Sequence, residues 1–500
     1  TIPVSPKRAT PALKEAIHCL KRGELVCLFP EGMLSYNGDV GRFFAGHEML
    51  AKLSGAPVIA AHLDGLWGSR FSFAPAALRT QDLRRRVALR VSPVTPTLMS
   101  ASSPARDTVV ELASEAFTAR PELNESLGRA IVRHLCERPG DEIAVDYAVG
   151  MKRLNRGTVL AVASTLARDL RRRCPEARIG IVLPPGLAGM ITNLGVILAG
   201  KTPVNLNYTA GRASLESAIE QAGLKTMVTA EKVKEMLAER FPEFPWLEHT
   251  VDVRDVLQSL PKWHTALVLA GTRLLPGGLL AKCLGQTGTG GDAEGALLFT
   301  SGSEGAPKGV ILTHRNLIAN CEQIRQTGVI PENAKLLANL PIFHSFGFTV
   351  QLFVPVFCGA RAVFTPSPLD FKLAAKACEK EQADVLLGTP TFFRPYLTKV
   401  SPEQLKSVRL VIAGAEKTPE SFHQKWAERF PHTKLLEGYG LTETAPVAAL
   451  NLPNIEPTEK RPAGSTGKRA AASRRPPPRT TARLVGPETE TPRPQREVGL

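Results

Sequence analysis

Apolar and polar positions along the chain fall into short blocks whose period keeps changing. Pro11–Arg22 carries apolar residues at helical spacing, and the run Glu24–Phe29 that follows reads as a strand. After a further helical segment, Pro57–Leu63 again reads as a strand. Small, polar and basic residues around Ser92–Asp107 read as a linker. A second unit starts near Glu111 and runs to about Leu452. In it Thr158–Arg173 has the spacing of a helix, Arg178–Leu183 is a short apolar run, and a Pro-Pro-Gly break leads into apolar Leu187–Ala199. Val204–Asn207 follows as a strand-like piece, and Thr287–Gly291 is a Gly/Thr linker. Short apolar runs alternating with amphipathic helices predict α/β layering. No repeat of solenoid period is present. From Lys468 to Arg479 the pattern stops: Arg-Arg and Pro-Pro-Pro occur with almost no large apolar side chain. Such a segment cannot bury enough surface to offset its ordering entropy, so it is expected to be disordered or incorrectly translated.

The stretch Leu297–Gly309 reads as a buried strand entering a loop rich in glycine and hydroxyls and ending in a lysine. Gly302 and Gly305 let backbone N–H groups approach an anion closely. Thr300, Ser301 and Ser303 add hydroxyl donors, and Lys308 adds a point charge suited to phosphate. The loop is not a Walker A motif. Gly302 and Lys308 have the right separation, but Pro307 stands where the second glycine belongs and Gly309 where a Mg²⁺-binding Ser/Thr belongs. A P-loop NTPase is therefore disfavoured.

Length and charge narrow the picture. The chain has 500 residues, too many for one ordinary core, so two or more domains are expected. The formal charge of +15 points to an acidic partner such as a nucleotide, an anionic lipid or an acidic carrier protein, although Arg-rich segments near the C-terminus supply part of it. No RNA-binding motif or helix-turn-helix pattern is present, so nucleic acid is not the expected partner. The eight cysteines are scattered without a CxxC pair or a Cys/His cluster, which reads as reduced, cytosolic thiols. No segment has the ~18 uninterrupted apolar residues of a membrane span; Gly186–Gly200 and Thr349–Phe364 come nearest. The chain begins at Thr1, without a methionine or signal peptide, and reads as a piece of a longer protein.

Three further segments follow the phosphate-type loop. Leu340–Phe348 sets His344 among aromatics. Val411–Lys417 is an apolar strand ending in the small-residue turn Gly414-Ala415-Glu416. Leu436–Thr444 combines Gly438, Tyr439 and Gly440 with Thr442 and Glu443: an aromatic platform, close-approach glycines, a hydroxyl and a carboxylate. In this order, the span from roughly Glu122 to Asn451 resembles the large N-terminal subdomain of the adenylate-forming enzymes, the superfamily of acyl-CoA synthetases, luciferases and peptide-synthetase adenylation domains. Within it, the chain looks most like bacterial acyl-acyl-carrier-protein synthetases fused to an acyltransferase, and Glu304, where Thr is common elsewhere, fits that branch.

The resemblance implies ATP and Mg²⁺. A fatty acid would be activated to an acyl-adenylate, then ligated to acyl carrier protein or CoA. It implies that Thr300, Ser301, Gly302, Ser303, Gly305 and Lys308 hold the β- and γ-phosphates, that Thr442 contacts the α-phosphate, and that Glu443 is the metal ligand. Tyr439 would stack on adenine between Gly438 and Gly440, Gly414, Ala415 and Glu416 would line the base pocket, and His344 would position the carboxylate. Phe343, Phe346, Phe348, Phe353, Phe357, Phe392 and Phe393 are dense enough to wall an acyl tunnel, and equally consistent with core packing.

Near the start of the chain, Val26–Gly32 reads as a strand ending in Pro30-Glu31-Gly32. With Met33–Gly38 and Ala56–Ser69 it resembles the later half of a glycerolipid acyltransferase domain, where Glu31 and Gly32 would bind the glycerophosphate acceptor; Ala60 departs from the usual proline. That family's His-x₄-Asp pair is missing, since the only upstream histidine is His18 and Gly23 stands five residues on. At the other end, no Thr-Gly-Asp ribose motif follows Glu443, Gly290-Gly291-Asp292 being on the wrong side of the phosphate loop, and the small lid subdomain that the resemblance implies is expected to be missing from this stretch. Gly464–Lys468 and Pro487–Thr489 look family-like while Arg469–Thr480 does not, as a compensated reading-frame error would produce.

The expected organisation is therefore α/β, with a partial acyltransferase domain over 1–100, a linker over 101–118, the AMP-binding large subdomain over 119–460 and an aberrant or disordered segment over 461–500. The parent would reacylate a lysophospholipid from the cytoplasmic face of the inner membrane. Two alternatives stay open: a long-chain fatty-acid–CoA ligase, and a catalytically inactive nucleotide- or lipid-binding remnant.

Overall fold

A computed structural model describes residues 9–35, 38–74, 76–79, 85–94, 102–148, 150–300 and 306–451. The chain divides into two compact units at Arg120/Pro121, with Gln326–Gly328 grouped with the first.

In the first unit the predicted N-terminal helix forms over Ala9–Lys21, and a second helix covers Gly46–Ser54. Strands β1 (Ala61–Asp64) and β2 (Ala88–Val91) pair antiparallel. The run Glu24–Phe29 is no strand: it joins no described ladder, and Leu25 is 94% exposed. An apolar run becomes a strand only where neighbours supply hydrogen bonds and cover, and none of the described residues does so here. The expected linker is also corrected, because Ser102–Thr118 is a helix. Its inner face (Ala105, Leu112, Ala113, Ala116 and Phe117) is buried, and Ala105 and Leu112 pack with Phe43 and Ala60. The polar, basic start of the segment masked this period. Arg120 closes the unit by donating from Nε and Nη2 to both carboxylate oxygens of buried Asp64, at 2.8 and 2.9 Å.

The second unit is layered α/β. β3 (Glu142–Asp146) and β4 (Lys152–Asn155) pair antiparallel. A six-stranded sheet follows, built from β5 (Arg178–Ile181), β6 (Thr202–Asn205), β7 (Thr226–Thr229), β8 (His249–Asp252), β9 (Glu294–Thr300) and β10 (Lys308–Thr313) in the order β10-β9-β6-β5-β7-β8. All its pairs are parallel except β9/β10. β11 (Lys335–Ala338), β12 (Arg361–Phe364), β13 (Val385–Gly388), β14 (Leu410–Ala413), β15 (Lys434–Gly440) and β16 (Val447–Leu450) complete an eight-stranded sheet in the order β16-β15-β14-β13-β11-β12-β3-β4. Its interior is parallel and its two edge pairs are antiparallel. Central strands covered on both faces need continuous apolar runs, and β13 and β14 are buried at every residue.

Helix Arg156–Arg173 starts where the Asn155 side chain accepts the Thr158 amide at 2.7 Å. It packs on helix Leu187–Leu198, which is buried along nearly its whole length and so accounts for that apolar run within a globular core. No described helix is long and apolar enough to cross a membrane. Of the dense phenylalanines, Phe348, Phe353, Phe357 and Phe393 are buried in the core, while Phe346 lines the cleft described below.

Candidate active-site cleft

Parallel strands present all their carboxyl ends on one edge of a sheet, and ligands in open α/β folds bind there. Here that edge gathers the segments following β11, β13, β14 and β15. They enclose an apolar cleft of about 600 Å³ of empty space, its open mouth included. One wall carries His344, Ser345 and Phe346. The other carries Gly414, Ala415, Gly438, Tyr439 and Gly440, over a floor of Ile324, Val350, Leu387 and Ile412. Motifs separated by up to a hundred residues thus meet in one place.

Local structure explains each position. After β11 the chain turns back so tightly that Gly347 lies against the Pro341 carbonyl oxygen, where a Cβ would overlap it. Gln351 holds this turn from beneath: its amide donates to the Leu340 carbonyl at 3.0 Å and accepts the Leu340 N–H at 3.1 Å. It sits in a single π-helical stretch, Phe348–Phe353, a distortion common at functional sites. His344 caps the turn, its Nδ1 accepting the Phe346 amide at 3.3 Å. More than a third of the residue is exposed, yet its crowded ring has a lowered pKa through burial. With Nδ1 accepting, the proton of the neutral ring is on Nε2.

Opposite, the Gly414 amide donates to the Gly388 carbonyl at 3.0 Å, and Ala415 follows with φ +64°, a conformation costly for a non-glycine residue. Glu416 is not among the residues lining the cleft. Its carboxylate accepts the Thr391 hydroxyl at 2.7 Å and the Thr391 amide at 3.3 Å. Tyr439 is 46% exposed at the cleft wall. Thr442 donates its hydroxyl to Ser345 Oγ at 3.4 Å, tying the two walls together. Glu443 is exposed on the short turn Thr442–Thr444, and that turn packs against β10.

Lys308 opens β10 and is exposed; it stands opposite half-buried Thr300 across the β9/β10 ladder. The far arm of the phosphate-type loop is therefore a strand, whereas a Walker A loop leads into a helix. Gln221 anchors that arm by donating to the Pro307 carbonyl at 3.0 Å. Ser301, Gly302, Ser303 and Gly305 lie outside the described residues. Among the described residues no group of three or more His, Cys, Asp or Glu is arranged as a metal cage.

Two buried amides escaped the reading of the motifs. One is Gln351. The other, Asn320, donates to the Val447 carbonyl at 2.9 Å and accepts the Val447 N–H at 3.2 Å, fixing the cleft's outer strand. The available signal was an amide on a helix face otherwise made of Leu317, Cys321 and Ile324.

In the first unit Glu31 and Gly32 form a tight turn. The Glu31 carboxylate accepts the Gly41 amide at 2.6 Å, and burial raises its pKa. Gly32 adopts φ +66° beside the Phe44 ring.

The sequence model of the AMP-binding enzyme family matches residues 132–500. The long-chain-fatty-acid–CoA ligase of Salmonella typhimurium is 26% identical over 301 residues, covering 56% of this chain and 53% of the relative. The mitochondrial medium-chain acyl-CoA ligase of Mus musculus is 29% identical over 340 residues, covering 62% and 53%. The chain thus spans about half the length of the curated relatives it matches. Among solved structures, ATP-bound MatB from Rhodopseudomonas palustris superposes with a TM-score of 0.58 at 22% identity, over 74% of this chain and 69% of that one. The α/β fold is that of the large N-terminal domain of adenylate-forming enzymes.

Proposed function

The chain belongs to the AMP-binding enzyme family, and on that premise we propose that it binds ATP and a fatty acid and joins them as an acyl-adenylate, the first half of ligation to a thiol. The observation that carries this reading is the convergence of His344, Gly414–Ala415 and Gly438–Gly440 on one apolar cleft, beside a turn bearing Thr442 and Glu443 that packs on the strand opened by Lys308.

In this reading Tyr439 stacks on adenine, with Gly438 and Gly440 beside it and Gly414 and Ala415 along its edge; Glu416 supports the base wall through Thr391. Thr300, Ser301, Gly302, Ser303, Gly305 and Lys308 hold the β- and γ-phosphates, and Thr442 meets the α-phosphate. A carboxylate oxygen of the fatty acid attacks the α-phosphorus, and pyrophosphate leaves. His344 Nε2–H donates to the attacking carboxylate and orients it, since Nδ1 is already committed to the Phe346 amide. One exposed carboxylate beside a phosphate site suits Mg²⁺, which is held by one or two carboxylates and substrate phosphates. Glu443 would hold it, and the ion would neutralise charge on the leaving phosphates.

CoA as the accepting thiol follows the named relatives, which act on fatty-acid–CoA and acyl-CoA ligations by name. Acyl carrier protein as acceptor, and transfer onward to a lysophospholipid at a membrane, rest on the motif resemblance alone. The first unit's Glu31 already spends one carboxylate oxygen on the Gly41 amide.

Titration calorimetry of this chain with ATP·Mg²⁺ and with acyl-sulfamoyl-adenosine analogues tests the proposal. A long-acyl analogue is expected to bind more tightly than ATP or an acetyl analogue. Equal affinity for long-acyl and acetyl analogues removes the fatty acid, and no binding of any of them removes the site.

A further inference from the structure

Helix Lys262–Leu274 turns an apolar stripe outward. Trp263, Leu267 and Leu274 are 61%, 63% and 79% exposed. With Ala266 and Ala270, also exposed, they fall within roughly a 100° arc at 100° per residue. The inward face holds buried Val268, Gly271 and Thr272, with His264, Thr265 and Leu269 half-buried beside them. The adjoining helix Gly277–Cys283 adds Leu279, 48% exposed. Monomeric surfaces rarely leave such a contiguous apolar face uncovered.

The segment carrying the stripe is basic, although Asp169 on the helix it packs against is held by Arg173 and Asp255 is exposed on the preceding helix. From Val256 to Gly291 the chain contains no Asp or Glu, while Lys262, Arg273 and Lys282 are exposed. Arg168, on helix Arg156–Arg173, lays its guanidinium 5.0 Å from the centroid of the Trp263 ring and forms no ion pair among the described residues.

Beside Trp263 a separate hollow opens, about 670 Å³ of empty space with its open mouth included, lined by Arg168, Arg171, His264, Ser164 and Gln286 among others. The Ser164 hydroxyl is buried there without a hydrogen-bond partner, on a residue 5% exposed. A polar hollow of that volume holds several waters or one phosphate headgroup, a water taking about 30 Å³.

We propose that the outward face of helix Lys262–Leu274 docks on a bilayer of anionic phospholipid, with one lipid phosphate received by Arg168 and the hollow behind it. An apolar stripe carrying a tryptophan, on a segment that holds exposed Lys262, Arg273 and Lys282 and no Asp or Glu, has the composition of a helix lying in a membrane interface. No described helix can span a bilayer, so the contact is peripheral. The inference is independent of how the catalytic cleft is read.

Co-sedimentation of the chain with vesicles of phosphatidylcholine alone, and of phosphatidylcholine with phosphatidylglycerol, tests this. Binding is expected to the anionic vesicles and to weaken with salt. Leu267→Asp with Leu274→Asp should abolish it while ATP affinity, read by calorimetry, stays at the wild-type value. Arg168→Gln should weaken binding to anionic vesicles about fivefold, the effect of about one interfacial charge. Equal binding to both vesicle types, or undiminished binding by the double variant, overturns the proposal. So does a dimer in vesicle-free sedimentation that the double variant dissolves, since a second copy would then own the face. Saturable binding of inorganic phosphate without vesicle binding overturns it as well.

Discussion

Gly440 imposes the sharpest steric demand in the cleft. Alanine there would put a methyl onto the Pro446 carbonyl oxygen, 2.9 Å from its carbon and 3.5 Å from Val447 Cα. Those are backbone atoms, so no side chain can swing aside. The same oxygen accepts the Leu441 amide at 3.1 Å and the Thr444 hydroxyl, closing the base of the loop between β15 and β16. Overpacking of this kind costs about 1–3 kcal/mol, and displacing one of those hydrogen bonds adds about 1 kcal/mol. At about 2 °C per kcal/mol, the low end of the scale because the unit is large, Gly440→Ala should melt about 4–8 °C lower. Gly438→Ala is the control. Its methyl would find Leu450 Cδ1 at 3.6 Å and Ile412 Cγ2 at 3.7 Å, both ordinary contacts. Its melting temperature should therefore hold, while a methyl on the cleft wall should weaken ATP binding by about tenfold, or ~1.4 kcal/mol. Scanning fluorimetry and titration calorimetry read the two quantities separately. Wild-type melting of Gly440→Ala would refute the packing of Gly440 against Pro446. Full ATP affinity in Gly438→Ala would refute a nucleotide lying along this wall.

Lys308→Ala and Glu443→Gln, in the complete enzyme, should each cut ATP–pyrophosphate exchange by about 10²–10³ with melting unchanged; full exchange in either variant removes that residue's role. Asp146→Ala should lower stability to urea by about 1–3 kcal/mol, because the carboxylate accepts the Leu187 amide at 2.7 Å, capping helix Leu187–Leu198, and the Ala148 amide at 2.8 Å; an unshifted midpoint would contradict this. Burial alone would raise the Glu381 carboxyl, but hydrogen bonds from Arg153 at 2.6 Å and Tyr147 at 2.8 Å, with the Arg153 charge, more than offset it and lower its pKa. That stabilisation is complete above the unfolded glutamate value of about 4.3 and fades as pH falls through the lower folded value. Wild type should therefore lose more melting temperature than Glu381→Gln between about pH 5 and 3, and parallel acid limbs would show that the cluster contributes nothing.

The parts of the fold that sequence pattern conveyed are those where burial is nearly complete. Arg178–Ile181 and Leu410–Ala413 show as apolar runs because both faces of their sheets are covered, and Arg156–Arg173 shows because one face is. Glu24–Phe29 has the same appearance without the cover, and no local pattern separates the two cases. Ser102–Thr118 failed in the opposite sense, since a polar start hid a regular apolar face further on. In the cleft, the residue types at Gly414, Tyr439 and His344 were readable, but only the family resemblance, and not spacing or periodicity, brought them to one site: their meeting depends on the order β15-β14-β13-β11, which no spacing encodes. Glu416 shows the limit most clearly. Ala415 at φ +64° precedes it, and its carboxylate goes to Thr391 instead of lining the cleft.

The two loops expected to handle phosphate share a construction that differs from the His344–Phe346 and Gly414–Ala415 parts of the cleft wall. Those residues lie on connections leaving parallel strands β11 and β14, each fixed at one end by its own strand, whereas Gly438–Gly440 belong to β15 and pair antiparallel with β16. The phosphate-type loop and the Thr442–Glu443 turn instead join antiparallel neighbours, β9 to β10 and β15 to β16. In an antiparallel pair, directly opposed residues have side chains on the same face, with Cα atoms about 4.5–5.5 Å apart. Thr300 and Lys308 are such a pair. Their relative placement is therefore set by the ladder and not by the glycine-rich residues between them. The same holds for the second loop, whose base is closed by the Leu441 amide on the Pro446 carbonyl. Both ends of each loop are held by backbone hydrogen bonds, which lets the intervening residues be small and hydroxylic without loss of register. Lengthening the glycine-rich loop by one glycine should therefore leave the β9/β10 pairing, and hence amide-exchange protection of Leu297 and Leu298, intact, while changing phosphate affinity. Loss of protection together with affinity would mean that the loop, and not the ladder, sets the position of Lys308.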